Sequence, residues 1–175
     1  MNISFIPIDH NNLNDCMLLA KWHNDPEIKH LINPNFHEGE PILLKADFFM
    51  NKENNNPYLE QYNFFITVDD TFIGDINIVG NPDFLVKQDG NSVWLGITIG
   101  DKEFRGKGIG TVAMNYIEDF SRELGFKRIE LGVFEFNKRA IHLYKSLGYK
   151  HFATHKNFTY HDGRWYDDKR YEKYL

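Results

Sequence analysis

A chain of 175 residues, 42% hydrophobic and 26% charged, is the size of one domain and apolar enough to close a core, which excludes a disordered segment. Its net charge of −5 argues against a nucleic-acid binder, which carries a basic face, and suits a cationic partner such as a polyamine, an aminosugar or a free amino terminus. Cys16 is the only cysteine, set among Met17, Leu18 and Leu19 as a buried structural thiol, and no stretch approaches the ~20 apolar residues of a membrane span, so a cytoplasmic protein without membrane attachment is expected.

The chain opens with a strand at Ile3 to Ile8, then a helix over Leu13 to Trp22, where Leu13, Met17, Leu18 and Trp22 recur at helical spacing. Asp25-Pro26 starts a short turn. Glu40-Pro41 introduces a further helix, with Pro41 at the first helical position, where no amide hydrogen is needed. The polar run from Asn51 to Pro57 reads as a surface loop. Tyr62, Phe64, Ile66 and Val68 alternate as a strand, Asp69-Asp70 turns the chain, and Phe72 to Val79 and Ser92 to Ile99 form two further strands. A glycine-rich loop leads into a helix from Thr111 to Leu124, a strand from Arg128 to Val133 and a helix from Lys138 to Leu147. Strands at His151 to Tyr160 and Arg164 to Tyr174, turned by His161-Asp162-Gly163, complete an α/β pattern of the α+β type within one domain, 1–175.

The stretch from Trp94 to Tyr149 carries the chemistry. After the strand Trp94-Leu95-Gly96-Ile97-Thr98-Ile99 comes Arg105-Gly106-Lys107-Gly108-Ile109-Gly110, and a helix starts at Thr111. Glycines at alternate positions remove the Cβ atoms that would hold a ligand off the backbone. Successive amides then converge at a helix amino terminus, where the dipole favours an anion. Arg105 and Lys107 add charge, so a pyrophosphate is the expected guest. The Walker loop is excluded because Gly108 follows Lys107, and the dinucleotide fingerprint because Thr111 stands three residues after Gly108.

A second signature runs from Asn137 to Tyr149. Asn137 caps a helix, Gly148 ends it in the left-handed conformation, and Ala140, Ile141, Tyr144 and Leu147 share a face. Together, Arg-x-x-Gly-x-Gly opening a helix and Asn-x-x-Ala-x-x-x-Tyr-x-x-x-Gly-Tyr resemble the GNAT superfamily of N-acetyltransferases. Trp22-x-Asn24-Asp25-Pro26 and Asp162-Gly163-x-Trp165-x-Asp167 resemble the branch that includes ribosomal-protein N-terminal acetyltransferases.

The resemblance implies a mixed, mostly antiparallel sheet of about seven strands flanked by helices, with a splayed cleft for acetyl-CoA as cosubstrate. It implies that the amides from Arg105 to Gly110, with Thr111, hold the pyrophosphate, and that Ile97, Thr98 and Ile99 pair with the pantetheine arm. Asn137 would position that arm, the Ile99 amide would donate to the thioester carbonyl, and Tyr144 would protonate the departing thiolate. The glutamate that many members carry near the start of the cofactor strand is missing, since Ser92-Val93-Trp94 holds no carboxylate. Asp75 and Glu135 are possible substitutes, and the base stays unassigned. Transfer is expected to be direct, because Cys16 lies outside the matched segment. The acceptor is a peptide amino terminus in an open groove or a small amine in a closed pocket, the latter lined by acids such as Glu38, Glu40 or Asp47. No metal is expected from His151, His155 and His161, and a homodimer is compatible. The competing reading is a non-catalytic acyl-CoA sensor.

Overall fold

The computed structural model describes residues 1–50 and 60–175, so the run from Asn51 to Pro57 lies outside the described residues. The elements are β1 (Ile3–Pro7), α1 (Leu13–His23), α2 (Lys29–Ile32), α3 (Ala46–Phe49), β2 (Gln61–Val68), β3 (Thr71–Gly80), β4 (Ser92–Ile99), α4 (Ile109–Glu123), β5 (Arg128–Phe134), α5 (Lys138–Ser146), β6 (Lys150–His161) and β7 (Arg164–Tyr174). Seven strands form one sheet in the order β1-β2-β3-β4-β5-β7-β6. Among the described residues only the β4–β5 pair is parallel, and α4 makes its crossover.

The alternating side chains of the strands sort onto two faces. Phe64, Ile66, Ile76, Ile78, Val93, Leu95, Ile129 and Leu131 form one core with Ile109, Ala113, Met114 and Ile117 of α4. Burial of each large apolar side chain contributes roughly 1.5–3 kcal/mol. On the opposite face Phe65 joins Ile8, Cys16, Leu19, Trp22 and Phe49 in a second core under α1 and α3. The turns at Asp69-Asp70 and Asp162-Gly163 close with positive φ at all four residues, as tight hairpins require.

Two expectations about helices change. Residues 41–45 are not helical, and only Ala46–Phe49 makes a turn of helix. The reason is Asn24, whose Nδ2 donates to the Leu44 carbonyl at 2.6 Å while its Oδ1 accepts from the Leu44 amide at 2.9 Å. That pairing claims both backbone groups that a helix through Pro41 would have needed. The helix expected at Thr111 begins instead at Ile109, because Gly108 with φ +81° is its N-cap.

Candidate active site

The parallel pair β4–β5 sets up the cleft. Ser92, Val93 and Trp94 pair with Arg128, Ile129 and Glu130, and from Leu95 onward no strand partner meets the β5-facing edge of β4 among the described residues. A cavity of about 1200 Å³ opens there, running from the glycine loop past Tyr144 to the second face of the sheet. Ile97, Thr98, Ile99, Arg105, Gly106, Gly108, Ile109, Gly110, Thr111, Asn137 and Tyr144 all line it. Lys107 does not; its Nζ lies 5.4 Å from the centre of the Phe104 ring.

The loop differs from expectation at its first residue. The Arg105 guanidinium turns away from the glycines, with Nε donating to the Ile99 carbonyl at 3.0 Å and Nη2 to the Gly100 carbonyl at 2.6 Å. It also pairs with Glu27 at 3.0 Å and Asp25 at 3.3 Å. Its amide donates to the Lys102 carbonyl at 3.2 Å. Arg105 lines the cavity with its amide and guanidinium already engaged by protein acceptors, and it ties β4 to the turn after α1. The amide of Thr111 is likewise held by the Gly108 carbonyl at 3.0 Å. The amides of Gly106, Gly108, Ile109 and Gly110 meet no backbone acceptor among the described residues, which leaves them for an anion.

The cation beside this loop comes from α5. Arg139 lines the cavity, and its Nη2 lies 3.3 Å from where a Cβ on Gly106 would stand. The sequence contained the signal, since Arg139 is two residues past the cap Asn137 and one turn before Leu143, which touches Gly110. Asn137 does cap α5, its Oδ1 accepting from the Ala140 amide at 3.2 Å.

Tyr144 is 6% exposed, and burial pushes its phenol up to about 12. It is thus a proton donor throughout the neutral range. Gly148, with φ +86°, lets the Tyr149 amide return to the Tyr144 carbonyl at 3.0 Å, which fixes the end of α5 that carries the phenol.

Beyond Tyr144 the cavity changes character. Its lining includes the apolar and aromatic side chains of Ile28, Leu31, Phe84, Trp94, Phe134 and Phe158 beside polar ones such as Asn63, Asn77, His155 and Arg170. Asp75 and His23 lie on one side of it, with His23 Nε2 at 3.9 Å from Asp75 Oδ1. Asp168 lies on the other; burial raises it, against the Arg170 guanidinium that donates to it at 2.6 Å. Glu135 is elsewhere, its Oε1 accepting from the Asp167 amide at 3.0 Å. Glu38, Glu40 and Asp47 are exposed and do not line the cavity, so the acid-walled pocket expected for a polyamine is not what these residues build. His23 escaped notice in the sequence because a histidine in the last turn of an amphipathic helix looks like a C-terminal dipole partner.

The free amides of the loop, the cation on α5 and the gap between β4 and β5 describe a cleft for a phosphorylated, extended cosubstrate, and a model of the acetyltransferase (GNAT) family matches residues 25–149. The chain belongs to that family. The GNAT signature extends to relatives of known sequence. The uncharacterized N-acetyltransferase YdgE of Bacillus subtilis is 44% identical over 46 residues, 26% of this chain and 29% of that protein. The thialysine N-epsilon-acetyltransferase of Bos taurus is 34% identical over 59 residues, 34% of this chain and 35% of that protein. These matches therefore span only about a third of the relatives' own length. The GNAT fold itself is shared along the whole chain. The structure of yncA from Salmonella typhimurium, solved with its cofactor acetyl-CoA, superposes with a TM-score of 0.75 at 17% identity, over 99% of this chain and 94% of that one. No helix among the described residues is long and apolar enough to cross a membrane.

Proposed function

We propose that the protein is an acetyl-CoA-dependent N-acetyltransferase that moves the acetyl group directly to a primary amine held in the far half of the cleft. The observation that carries this reading is the line-up, in one cavity, of the loop amides from Gly106 to Gly110, the β4 edge at Ile97 to Ile99 and the buried phenol of Tyr144. Acetyl-CoA supplies an activated acyl thioester. The loop amides and Arg139 suit its pyrophosphate, and Lys107 contributes to the field from outside the cavity.

Ile99 supports the chemistry through its backbone. Its carbonyl accepts from Arg105, outside the β3–β4 ladder. The N–H and C=O of an extended residue share a side, so the Ile99 amide is directed to the gap, where it suits the oxygen that gains charge as the amine adds. Tyr144, neutral up to about 12, is the donor to the leaving sulfur. Cys16 is fully buried with its thiol toward the His10 carbonyl, which supports direct transfer rather than an acyl-cysteine.

An acceptor that carries its amine on an apolar or aromatic group is favoured, since the cavity lining includes Ile28, Leu31, Phe84, Trp94, Phe134 and Phe158 beside its polar residues. Both a small aromatic amine and a peptide amino terminus with an apolar first residue meet that description. The resemblance to the ribosomal-protein branch rests on Trp22-x-Asn24-Asp25-Pro26, where Trp22 packs on Gly100 and Asp25 binds Arg105, and on Asp162-Gly163-x-Trp165-x-Asp167, and it does not discriminate between the two acceptors. Thiol release from acetyl-CoA is the test, with 2-phenylethylamine, a Phe-Ala dipeptide and spermidine as acceptors. Turnover of either aromatic amine above spermidine, with kcat reduced about 100-fold and KM for acetyl-CoA unchanged in Tyr144→Phe, is expected. Failure of acetyl-CoA to bind would refute the reading.

A further inference from the structure

The base that takes the amine's proton has no glutamate on β4 to supply it, and the wall opposite Tyr144 offers a different group. We infer that His23 is that base, with Asn33 fixing its tautomer and Asp75 holding the charge it gains. The inference rests on the acetyltransferase reading and names a further catalytic residue for it.

The hydrogen bonds around the ring determine where its proton sits. Asn33 Nδ2 lies 2.6 Å from the His23 carbonyl, and a carbonyl only accepts, so the amide nitrogen must face it. The remaining amide oxygen, which also only accepts, therefore faces His23 Nδ1 at 2.9 Å. Nδ1 must carry the hydrogen, and Nε2 of the neutral ring presents its lone pair. Nε2 is the atom nearest Asp75, 3.9 Å from Oδ1, and both residues line the cavity with side chains that are mostly covered, at 19% and 13% exposure.

The position along β4 matches the role. Asp75 of β3 is registered opposite Thr98, one residue before Ile99, so the pair stands one strand away from the β5-facing edge of β4 where the acyl carbon is expected, at the same level along the strand. Other groups near the ring, among the described residues, have contacts of their own. Phe49 of α3 covers one face, with ring centres 5.0 Å apart. His10, before α1, is buried, and it donates through Nδ1 to the Phe49 carbonyl at 2.7 Å. Asp25 is turned to Arg105. Asp75 is thus the carboxylate that faces Nε2.

An alkylammonium titrating near ~10 is only about one part in a thousand neutral at pH 7, so a positioned acceptor for its proton has a large effect. The step balances as follows. One proton passes from the ammonium nitrogen to His23 Nε2, and the freed lone pair forms the bond to the acyl carbon. The carbon–sulfur bond breaks, and the thiolate takes the Tyr144 proton. The second proton shed by the nitrogen restores the phenol, and His23 returns its own to water.

The test uses the full chain, acetyl-CoA and 2-phenylethylamine, with His23→Gln, which can still donate to Asn33, and Asp75→Asn. Nitrogen NMR of the imidazole is expected to show the neutral ring protonated at Nδ1, with or without acetyl-CoA. His23→Gln is expected to lower kcat about 100-fold and to abolish the acidic limb of kcat/KM, with acetyl-CoA affinity by calorimetry unchanged. Asp75→Asn should lower kcat several-fold and keep that limb. A neutral His23 carrying its proton on Nε2, or a His23→Gln enzyme with wild-type rate and limb, overturns the assignment while acetyl-CoA binding keeps the broader reading intact. Loss of acetyl-CoA binding by the wild-type protein would remove both.

Discussion

Arg105 and Arg139 illustrate how two arginines near one loop come to different work. Arg105 is 14% exposed at the side chain and bound to two carbonyls and two carboxylates, so its charge is neutralised before any ligand arrives. Arg139 is exposed and stands against Gly106. Arg105→Ala is therefore expected to lower the melting temperature, since removing a guanidinium that ties β4 to the turn after α1 costs about 1–3 kcal/mol, with little direct loss of a ligand contact. Arg139→Ala should leave the melting temperature nearly unchanged and weaken CoA about tenfold, by an amount that shrinks as salt is raised. Calorimetric titration of CoA at low and high salt, beside thermal melts, separates the two. The motif Arg-x-x-Gly-x-Gly located the loop in the sequence, yet it could not say which way the arginine points. That direction depends on Asp25 and Glu27, far away in the chain and brought near only by the fold.

At the scale of elements, α4 begins where backbone conformation permits rather than where hydrophobic periodicity starts. Gly106 and Gly108 have φ of +80° and +81°, which lets the chain double back so that the amides face one way. A Cβ at Gly108 would meet nothing within 4 Å, so its substitution isolates the conformational cost. Gly108→Ala is expected to destabilise the protein by about 1 kcal/mol, and to weaken CoA more than it lowers stability if the amides swing away. Denaturant unfolding with and without CoA checks this. Strands, the two later helices and both hairpin turns were legible because local pattern and burial agree there. The helix through Pro41 was not, because the Asn24 side chain overrides local preference from a remote position.

Across the whole molecule, the second sheet face carries a buried charge network at the end away from α1. Arg128, fully buried, donates to Glu130 at 3.0 Å, to Asp89 at 3.1 Å and to Glu172 at 3.1 Å, and Glu130 also receives Arg170 at 3.2 Å. Burial alone would raise Asp89, but the Ser92 hydroxyl, the Asn91 amide and Arg128 outweigh it and hold its carboxyl below the usual range. A carboxyl depressed in the folded state adds stability that is fully present above its unfolded pKa of ~3.9 and is lost as pH falls through the folded value. Thermal melts from pH 7 downward should show Asp89→Asn less stable than wild type at neutral pH, the gap closing in acid. Arg128→Met, which strands buried carboxylates, should cost about 3–5 kcal/mol at neutral pH. None of this network was visible in the sequence, where Arg128, Glu130, Arg170 and Glu172 look like ordinary surface charges on alternating strands and Asp89 like a loop residue.

Gly100 has no side chain because the indole of Trp22 occupies the place where a Cβ would be. Trp22 is the neighbour of His23 in α1, and Gly100 is the neighbour of Ile99 in β4. One contact therefore acts as a spacer gauge between the proposed proton acceptor and the proposed oxyanion donor, although neither member of it reaches the substrate. Thickening that contact by a methyl group would push the two proposed groups apart without replacing either of them, so the spacing of the proposed site depends on a residue with no chemistry of its own.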